Sequence, residues 1–133
     1  MDAKTKDVLH WFEEIAKIPR CSKNEDQICD WLTKWAEDNG FGVKKDQVKN
    51  ILIQVPGTAG YEKSTPVVIQ GHMDMVCEKA KGSSHDFAKD PIKLVYDGDW
   101  LTADQTTLGA DNGIAIAMAM AVSALLREDV SRI

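Results

Sequence analysis

The chain has 133 residues and a formal net charge of -5, with a sequence pI near 5.1. This acidic balance argues against a nucleic-acid-binding function, because such proteins usually carry a basic face. Hydrophobic residues make up 44% of the chain and charged residues 28%, which is typical of a globular domain and not of a disordered segment. The length suffices for one domain with a core of its own.

The sequence shows no signal for membrane targeting. Residues 1–6 lack the apolar core of a signal peptide. The most apolar run, Ile114–Leu126, is shorter than the ~20 residues that cross a bilayer, and charged residues follow it. We therefore expect a protein that makes no contact with a membrane.

The cysteines suggest a compartment. Cys21, Cys29 and Cys77 are odd in number and have no C-x-x-C spacing, so they predict neither a disulfide framework nor a zinc knuckle. Three free thiols suit a reducing compartment. We expect a cytoplasmic protein.

Two amphipathic helices are predicted at the start of the chain. Between Thr5 and Lys17 the apolar residues recur at helical spacing, and Pro19 closes the segment. Ser22 and Glu25 have the spacing of a capping box for a second helix, and Gly40 is placed to end it.

Short strands are predicted next, at 43 onward, 50–55, 66–70, 92–96 and 100–103. The β-branched run Val67–Gln70 suits a buried central strand. Asp97-Gly98 between the last two strands indicates a hairpin turn. The final predicted helix, 113–127, is apolar on nearly every side and is therefore expected to be buried.

Alternating helices and strands predict an α/β fold, a mixed sheet with helices packed against it. We expect Val67–Gln70 at its centre and helices 22–38 and 113–127 against its faces. The chain stops soon after the last helix, where another central strand is expected, so the sequence is interpreted as a fragment.

The first group with chemical potential follows the predicted central strand. His72 and Asp74 are two residues apart, so both side chains point to the same face of an extended chain. Ligands bind at the carboxyl ends of strands in open α/β sheets. A neutral imidazole there is a zinc ligand, and a neighbouring carboxylate can orient its other N–H group. A surface His and Asp would fit this short pattern equally well.

The second group opens the last predicted helix. Asp111 and Asn112 are both natural N-cap residues, but capping does not explain the glycines on either side, Gly109 and Gly113. Glycine lets the backbone approach another group closely. An aspartate at a helix N-terminus stays ionised, as a zinc ligand must be. By itself this segment fits either capping or metal binding.

The two groups together resemble one family. Gly71-His72-Met73-Asp74 follows a β-branched run, and Asp111, within Thr107-Leu108-Gly109-Ala110-Asp111-Asn112-Gly113, lies 39 residues beyond His72. Together these segments are similar to the cytosolic nonspecific, or aminoacyl-histidine, dipeptidases. These are relatives of the carnosinases and aminoacylases. Residues 18–22 and 85–92 also resemble this subgroup, so the resemblance covers nearly the whole chain.

The resemblance implies the N-terminal portion of a metallopeptidase catalytic domain that hydrolyses dipeptides with two zinc ions per active site. It implies that His72 ligates one zinc ion, that Asp111 bridges both, and that Asp74 is a catalytic residue that orients His72. The family's adjacent glutamate pair, its later ligands and its dimerising lid domain have no counterpart in the sequence. We therefore expect a homodimeric parent and a fragment that is inactive and possesses no general base.

Other candidates have simpler explanations. His10 is expected on a helix surface, His85 in an exposed loop, and Cys77 as a small packed residue. Two alternatives to the dipeptidase remain open at this point. One is an N-acyl amino acid deacylase with the same metal site, and the other is a non-catalytic α/β binding module.

Overall fold

The computed structural model describes residues 1–130, with side chains through residue 127. The helices and strands are, in chain order, α1 (Ala3–Ala16), α2 (Asp26–Asp38), β1 (Gly42–Lys45), β2 (Ile51–Gln54), β3 (Leu94–Asp97), β4 (Trp100–Ala103) and α3 (Ala110–Val130). β1 pairs with β2 and β3 with β4, both antiparallel, in two separate two-stranded sheets. The predicted fold class, in which helices pack with strands, is confirmed, but two small antiparallel sheets stand in place of the single mixed sheet that was predicted.

The core forms where α1 and α3 pack against each other and against α2. Phe12 and Ile15 project from α1, and Ala117, fully buried on α3, lets the two helices approach closely. Ile28 lies on the buried face of α2 and joins the same core. Burying each of these large apolar side chains contributes about 1.5–3 kcal/mol, so this helical cluster is the main source of stability.

The start of α2 differs from the prediction. The helix begins at Asp26 without a side-chain cap, because Ser22 donates its hydroxyl hydrogen bond to Asp74 instead. Glu25 accepts a hydrogen bond from the backbone of Lys23, so the predicted capping box does not form. The end of the helix is as predicted: Gly40 follows it with a φ of +74°, a conformation that favours glycine.

The predicted central strand is wrong for the described structure. Residues 67–70 are not in a strand, and Val67 and Val68 are 87% and 82% exposed. A strand is stabilised by hydrogen bonds to its neighbours, and no strand of residues 1–130 pairs with this segment. Helix α2 packs against the sheet of β1 and β2, so a helix packed on a sheet is found here as predicted, whereas α3 packs against α1 and not against a sheet.

The second hairpin forms one residue later than predicted. Asp97 pairs with Trp100, so the two-residue turn is Gly98–Asp99, and Gly98 has a φ of +56°. Glycine at the first turn position allows this conformation at little cost.

Helix α3 is long and apolar enough to span a membrane by length and composition alone. The stretch Ala110–Arg127 has 18 residues with a mean hydropathy of 1.3, and 22% of it is buried. The core helix of a soluble protein passes the same test, so the length and hydropathy of α3 do not by themselves indicate a membrane span. One side of α3 does pack in the core, through Ala117, Met120 and Ala121.

The cysteine prediction needs correction. Cys21 and Cys77 form a disulfide with a Cα–Cα distance of 5.6 Å, and Cys29 is a buried free thiol. The sequence separation of 56 residues hides this pairing, because only the fold brings the two segments side by side. Cys77 is thus bonded to another cysteine and not simply packed.

Candidate metal centre

The imidazole of His72 lies between two carboxylates. Its Nδ1 atom is 3.0 Å from Oδ1 of Asp74, and its Nε2 atom is 3.0 Å from Oδ1 of Asp111. The structure thus brings together all three site residues that the sequence predicted. The prediction that they meet at the edge of a sheet is wrong, since the expected central strand does not form.

The segment that carries His72 and Asp74 is fixed by a short run of the chain before α2. Met75 pairs with Cys21 in an isolated parallel bridge. Its N–H group donates to the carbonyl of Arg20 at 2.9 Å, and its carbonyl accepts from the N–H group of Ser22 at 3.1 Å. The disulfide adds a covalent link at the same place. This double attachment determines where Asp74 lies.

Asp111 lies in the first turn of α3, where the backbone departs from helical geometry. Its φ and ψ are -89° and 104°, and those of Asn112 are -118° and 31°. The side chain of Asp111 is 94% exposed. The residue is therefore directed at His72 from an open surface rather than used only as an internal cap.

Both ring nitrogens of His72 face carboxylate oxygens, an arrangement that favours the doubly protonated imidazolium. Desolvation lowers the pKa of His72, but the hydrogen bonds with Asp111 and Asp74 outweigh it and raise the pKa above 6.5. A metal ion at Nε2 would replace the proton shared with Asp111. The carboxylate of Asp74 would still hold the Nδ1–H group, the usual arrangement for a metal-binding histidine.

Asp74 is held as a carboxylate. The hydroxyl of Ser22 donates to its Oδ2 atom at 2.5 Å. This hydrogen bond, opposed by desolvation and aided by His72, lowers the pKa of Asp74 below 3.8. The ionised form is the one that can accept the Nδ1–H bond of His72.

Arg20 lies beneath the site and is 2% exposed. Its Nη1 atom donates to the carbonyls of Met73 at 3.2 Å and Asp74 at 3.5 Å, and its Nη2 atom donates to the carbonyl of Gly109 at 2.6 Å. Burial lowers the pKa of Arg20 to about 10, partly offset by the charge of Asp74. The guanidinium therefore stays charged at neutral pH.

The glycines around Asp111 are explained by this arginine. A Cβ atom on Gly109 would lie 2.5 Å from Nη2 of Arg20 and 2.6 Å from Sδ of Met75. A Cβ atom on Gly113 would lie 2.7 Å from the same Nη2 atom. The close approach expected from the sequence is therefore an approach to Arg20.

The donors fit one part of a zinc site. Ligand atoms on a tetrahedral zinc ion lie about 3.3 Å apart, given Zn–N and Zn–O bonds of about 2.0–2.1 Å. The 3.0 Å between Nε2 of His72 and Oδ1 of Asp111 reaches this value with a small side-chain rotation. Asp74 faces the other ring nitrogen, so the donors that converge on one point are two, Nε2 of His72 and Oδ1 of Asp111. Accordingly, the described residues contain no group of three or more His, Cys, Asp or Glu side chains arranged to hold a metal ion.

Sequence reasoning missed two members of the site. Arg20 and Ser22 were part of a family resemblance, and Ser22 was assigned to a helix cap. Their partners lie more than 50 positions away along the chain, so no local pattern shows the contact. The other two histidines lie against aromatic neighbours: His10 against Trp11, and His85 against Phe87.

Comparison with known proteins finds similarity to dipeptidases in sequence and in fold. It is 51% identical over 113 residues to the cytosol non-specific dipeptidase of Escherichia coli, a match over 85% of this chain and 23% of that protein. The crystal structure of aminoacylhistidine dipeptidase from Vibrio alginolyticus superposes with a TM-score of 0.84 at 43% identity, over 89% of this chain and 24% of that one.

A tripeptidase from Staphylococcus aureus shares the fold, with a TM-score of 0.68 at 23% identity over 92% of this chain and 32% of that one. No protein-family profile matches the chain. The chain thus spans about a quarter of the length of the dipeptidases it matches.

Proposed function

We propose that this chain is the N-terminal portion of the catalytic domain of a zinc-dependent dipeptidase. The observation that supports the proposal best is the placement of His72 between the carboxylates of Asp74 and Asp111. This arrangement of side chains occurs in a chain that is 51% identical over 113 residues to the cytosol non-specific dipeptidase of Escherichia coli.

In the proposed reaction, His72 and Asp111 hold zinc, and Asp74 orients the imidazole through Nδ1. A pair of zinc ions, when bound, would polarise the scissile carbonyl and activate a water molecule. The chain's own contribution is to hold the Nδ1–H group of His72 on Asp74, which directs Nε2 at the metal, and to bring the Asp111 carboxylate to the same point. Arg20 and Ser22 hold the segment of Met73 and Asp74 next to His72, and this attachment keeps the donors in place.

By itself, the chain is proposed to be inactive. A catalytic zinc site usually takes three protein ligands, and here two donors converge. The general base expected from the family has no counterpart in the sequence, and general acid–base catalysis contributes typically 10²–10⁴-fold in rate. Hydrolysis of a dipeptide therefore requires residues from a longer protein.

The experiment compares this chain with a complete dipeptidase that contains it, assayed on a panel of dipeptides at matched zinc concentrations. We expect turnover by the complete protein and none by the 133-residue chain. His72→Ala should abolish activity in the complete protein, and His10→Ala, on α1 beside Trp11, is the matched control that should retain it. Turnover by the chain alone, or full activity of the His72→Ala variant, would overturn the proposal.

The same assay separates the alternatives. An N-acyl amino acid deacylase would cleave acylated amino acids and leave dipeptides intact, and a non-catalytic binding module would cleave neither. The remaining expectations go with the favoured function: a cytoplasmic location, as the name of the Escherichia coli relative suggests, and a homodimeric complete enzyme with no nucleic-acid or membrane partner.

A further inference from the structure

We propose that Arg20 is a positioning residue that fixes the two halves of the metal site relative to each other. This inference rests on the proposed function and adds a residue to it. The hydrogen bonds of Arg20 go to main-chain carbonyls and not to the imidazole of His72 or a carboxylate of the site. It acts through the backbone on which the metal-binding side chains are carried.

The contacts of Arg20 reach both halves. One nitrogen of its guanidinium donates to the carbonyls of Met73 and Asp74, next to His72, and the other donates to the carbonyl of Gly109, two residues before Asp111. The two segments are separated by more than 30 residues in sequence. A single planar group therefore sets the distance between the loop of His72 and the turn of Asp111.

The burial of Arg20 supports a specific role. A charged side chain that is 2% exposed has lost its hydration, and this loss is normally compensated by an ion pair or several hydrogen bonds. Here main-chain carbonyls supply the compensation, and the Nε atom has no partner among the described residues. The geometry that the guanidinium imposes on the loop of His72 and the turn of Asp111 explains why it is buried despite the loss of hydration.

The surroundings are shaped to the guanidinium. Gly109 and Gly113 both leave room for its Nη2 atom, since a Cβ atom on either would lie within 2.7 Å of it. A lysine has the charge but not the planar fork, so it cannot donate to both segments in the same geometry. Arg20→Lys therefore separates the charge from the positioning.

The test uses the complete dipeptidase with Arg20→Lys, followed by kcat, KM and the visible absorption of bound Co²⁺. Residues behind the metal ligands typically affect metal affinity or activity about 10–100-fold. We expect kcat to fall by about that factor while KM changes less than about threefold. The Co²⁺ spectrum should change as well, because the ligands His72 and Asp111 are displaced.

A second variant approaches the contact from the other side and covers the case in which Arg20→Lys does not fold. Gly109→Ala retains the arginine but displaces its Nη2 atom. Gly40→Ala is the matched control: both glycines have a φ of +74°, but nothing lies within 4 Å of a Cβ atom on Gly40. Gly109→Ala should change the Co²⁺ spectrum and lower kcat, whereas Gly40→Ala should only lower the unfolding temperature.

A folded Arg20→Lys protein with unchanged kcat and Co²⁺ spectrum would overturn the proposal. So would a Gly109→Ala protein whose kcat and spectrum match those of Gly40→Ala. Failure of the proposed function is distinguishable, because a wild-type protein that binds Co²⁺ but hydrolyses no dipeptide still allows the spectral comparison. The role of Arg20 is then decided by the spectrum alone.

Discussion

The hydroxyl of Ser22 donates to Oδ2 of Asp74 at 2.5 Å, while Oδ1 of the same carboxylate lies 3.0 Å from Nδ1 of His72. The serine and the aspartate thus form a chain of hydrogen bonds that ends at the imidazole. The side chain that the sequence suggested as a helix cap takes part in the candidate metal site instead.

The first prediction follows from this chain of hydrogen bonds. Ser22→Ala removes a donor to an ionised carboxylate, so Asp74 is held less firmly and orients His72 less well. We expect the zinc affinity of the complete protein to fall about threefold to tenfold, less than for loss of the carboxylate that contacts the histidine. Competition with a fluorescent zinc chelator measures it. Ser22→Thr, which keeps the hydroxyl, should retain the affinity, and an equal loss in both variants would contradict the explanation.

The second prediction concerns the disulfide. It closes a loop across a sequence separation of 56 residues, and constraining the unfolded chain in this way stabilises a protein typically by about 2–4 kcal/mol. Urea unfolding of this chain with and without dithiothreitol should show a loss of that size in the free energy of unfolding. Cys77→Ala should be insensitive to the reductant, whereas Cys29→Ala should respond as the wild type does. Equal stability of the wild type in both conditions would show that Cys21 and Cys77 are not bonded in solution.

The third prediction concerns the exposed apolar segment. Val68 is 82% exposed, so Val68→Lys should change the free energy of unfolding of this chain by less than about 0.5 kcal/mol. It should also reduce self-association, because exposed apolar patches promote it. Urea unfolding and light scattering measure the two effects. Ile28→Ala, at a position 1% exposed, is the contrasting control and should cost about 2–5 kcal/mol. A comparable loss from Val68→Lys would mean that this segment is buried in solution.

The fourth prediction is a dependence of stability on alkaline pH. Tyr96 donates its hydroxyl to Glu13 at 2.5 Å, and this hydrogen bond, with desolvation, raises the pKa of Tyr96 to about 12. Because the folded pKa exceeds the unfolded value near 10, the contribution is complete below pH 10 and is lost as the pH rises through 12. Tyr96 is 52% exposed, so we expect a contribution of less than about 1 kcal/mol.

The check is the difference in unfolding free energy between wild type and Tyr96→Phe at pH 8 and near pH 12. The wild type should be more stable at the lower pH, and the difference should shrink at the higher. A difference that is the same at both values would show that the hydrogen bond to Glu13 does not contribute.

Local patterns in the sequence predicted the features that depend on near neighbours. The apolar spacing of α1 and the left-handed position of Gly40 depend on contacts within a few residues, and both were predicted correctly. The approximate positions of the four strands that form, β1 to β4, were predicted as well. Only the turn at Gly98–Asp99 is displaced, by one position.

The features that were missed depend on distant partners. Ser22 has the spacing of a capping box, yet Asp74, 52 residues away, is the stronger acceptor. Val67–Gln70 has the composition of a buried strand, but burial needs strands on either side, and residues 1–130 provide none for it.

The proximity of His72, Asp74 and Asp111 was predicted because a family resemblance joined two short motifs that were ambiguous when taken separately. What the motifs did not contain is how they are held together. Arg20 and the Cys21–Cys77 disulfide each connect segments remote in sequence, and this depends on the tertiary structure.

The disulfide also determines what happens when the chain is cut. The stretch 59–70 is exposed throughout and contains Lys63, a cleavage site for trypsin. Because Lys63 lies between Cys21 and Cys77, a nick after it yields two pieces that remain covalently joined. Such a product runs as one band on a non-reducing gel and separates into two after reduction. Proteolysis at this loop therefore leaves the His72 and Asp111 side chains on the same piece, still tied to the segment of Arg20 and Ser22.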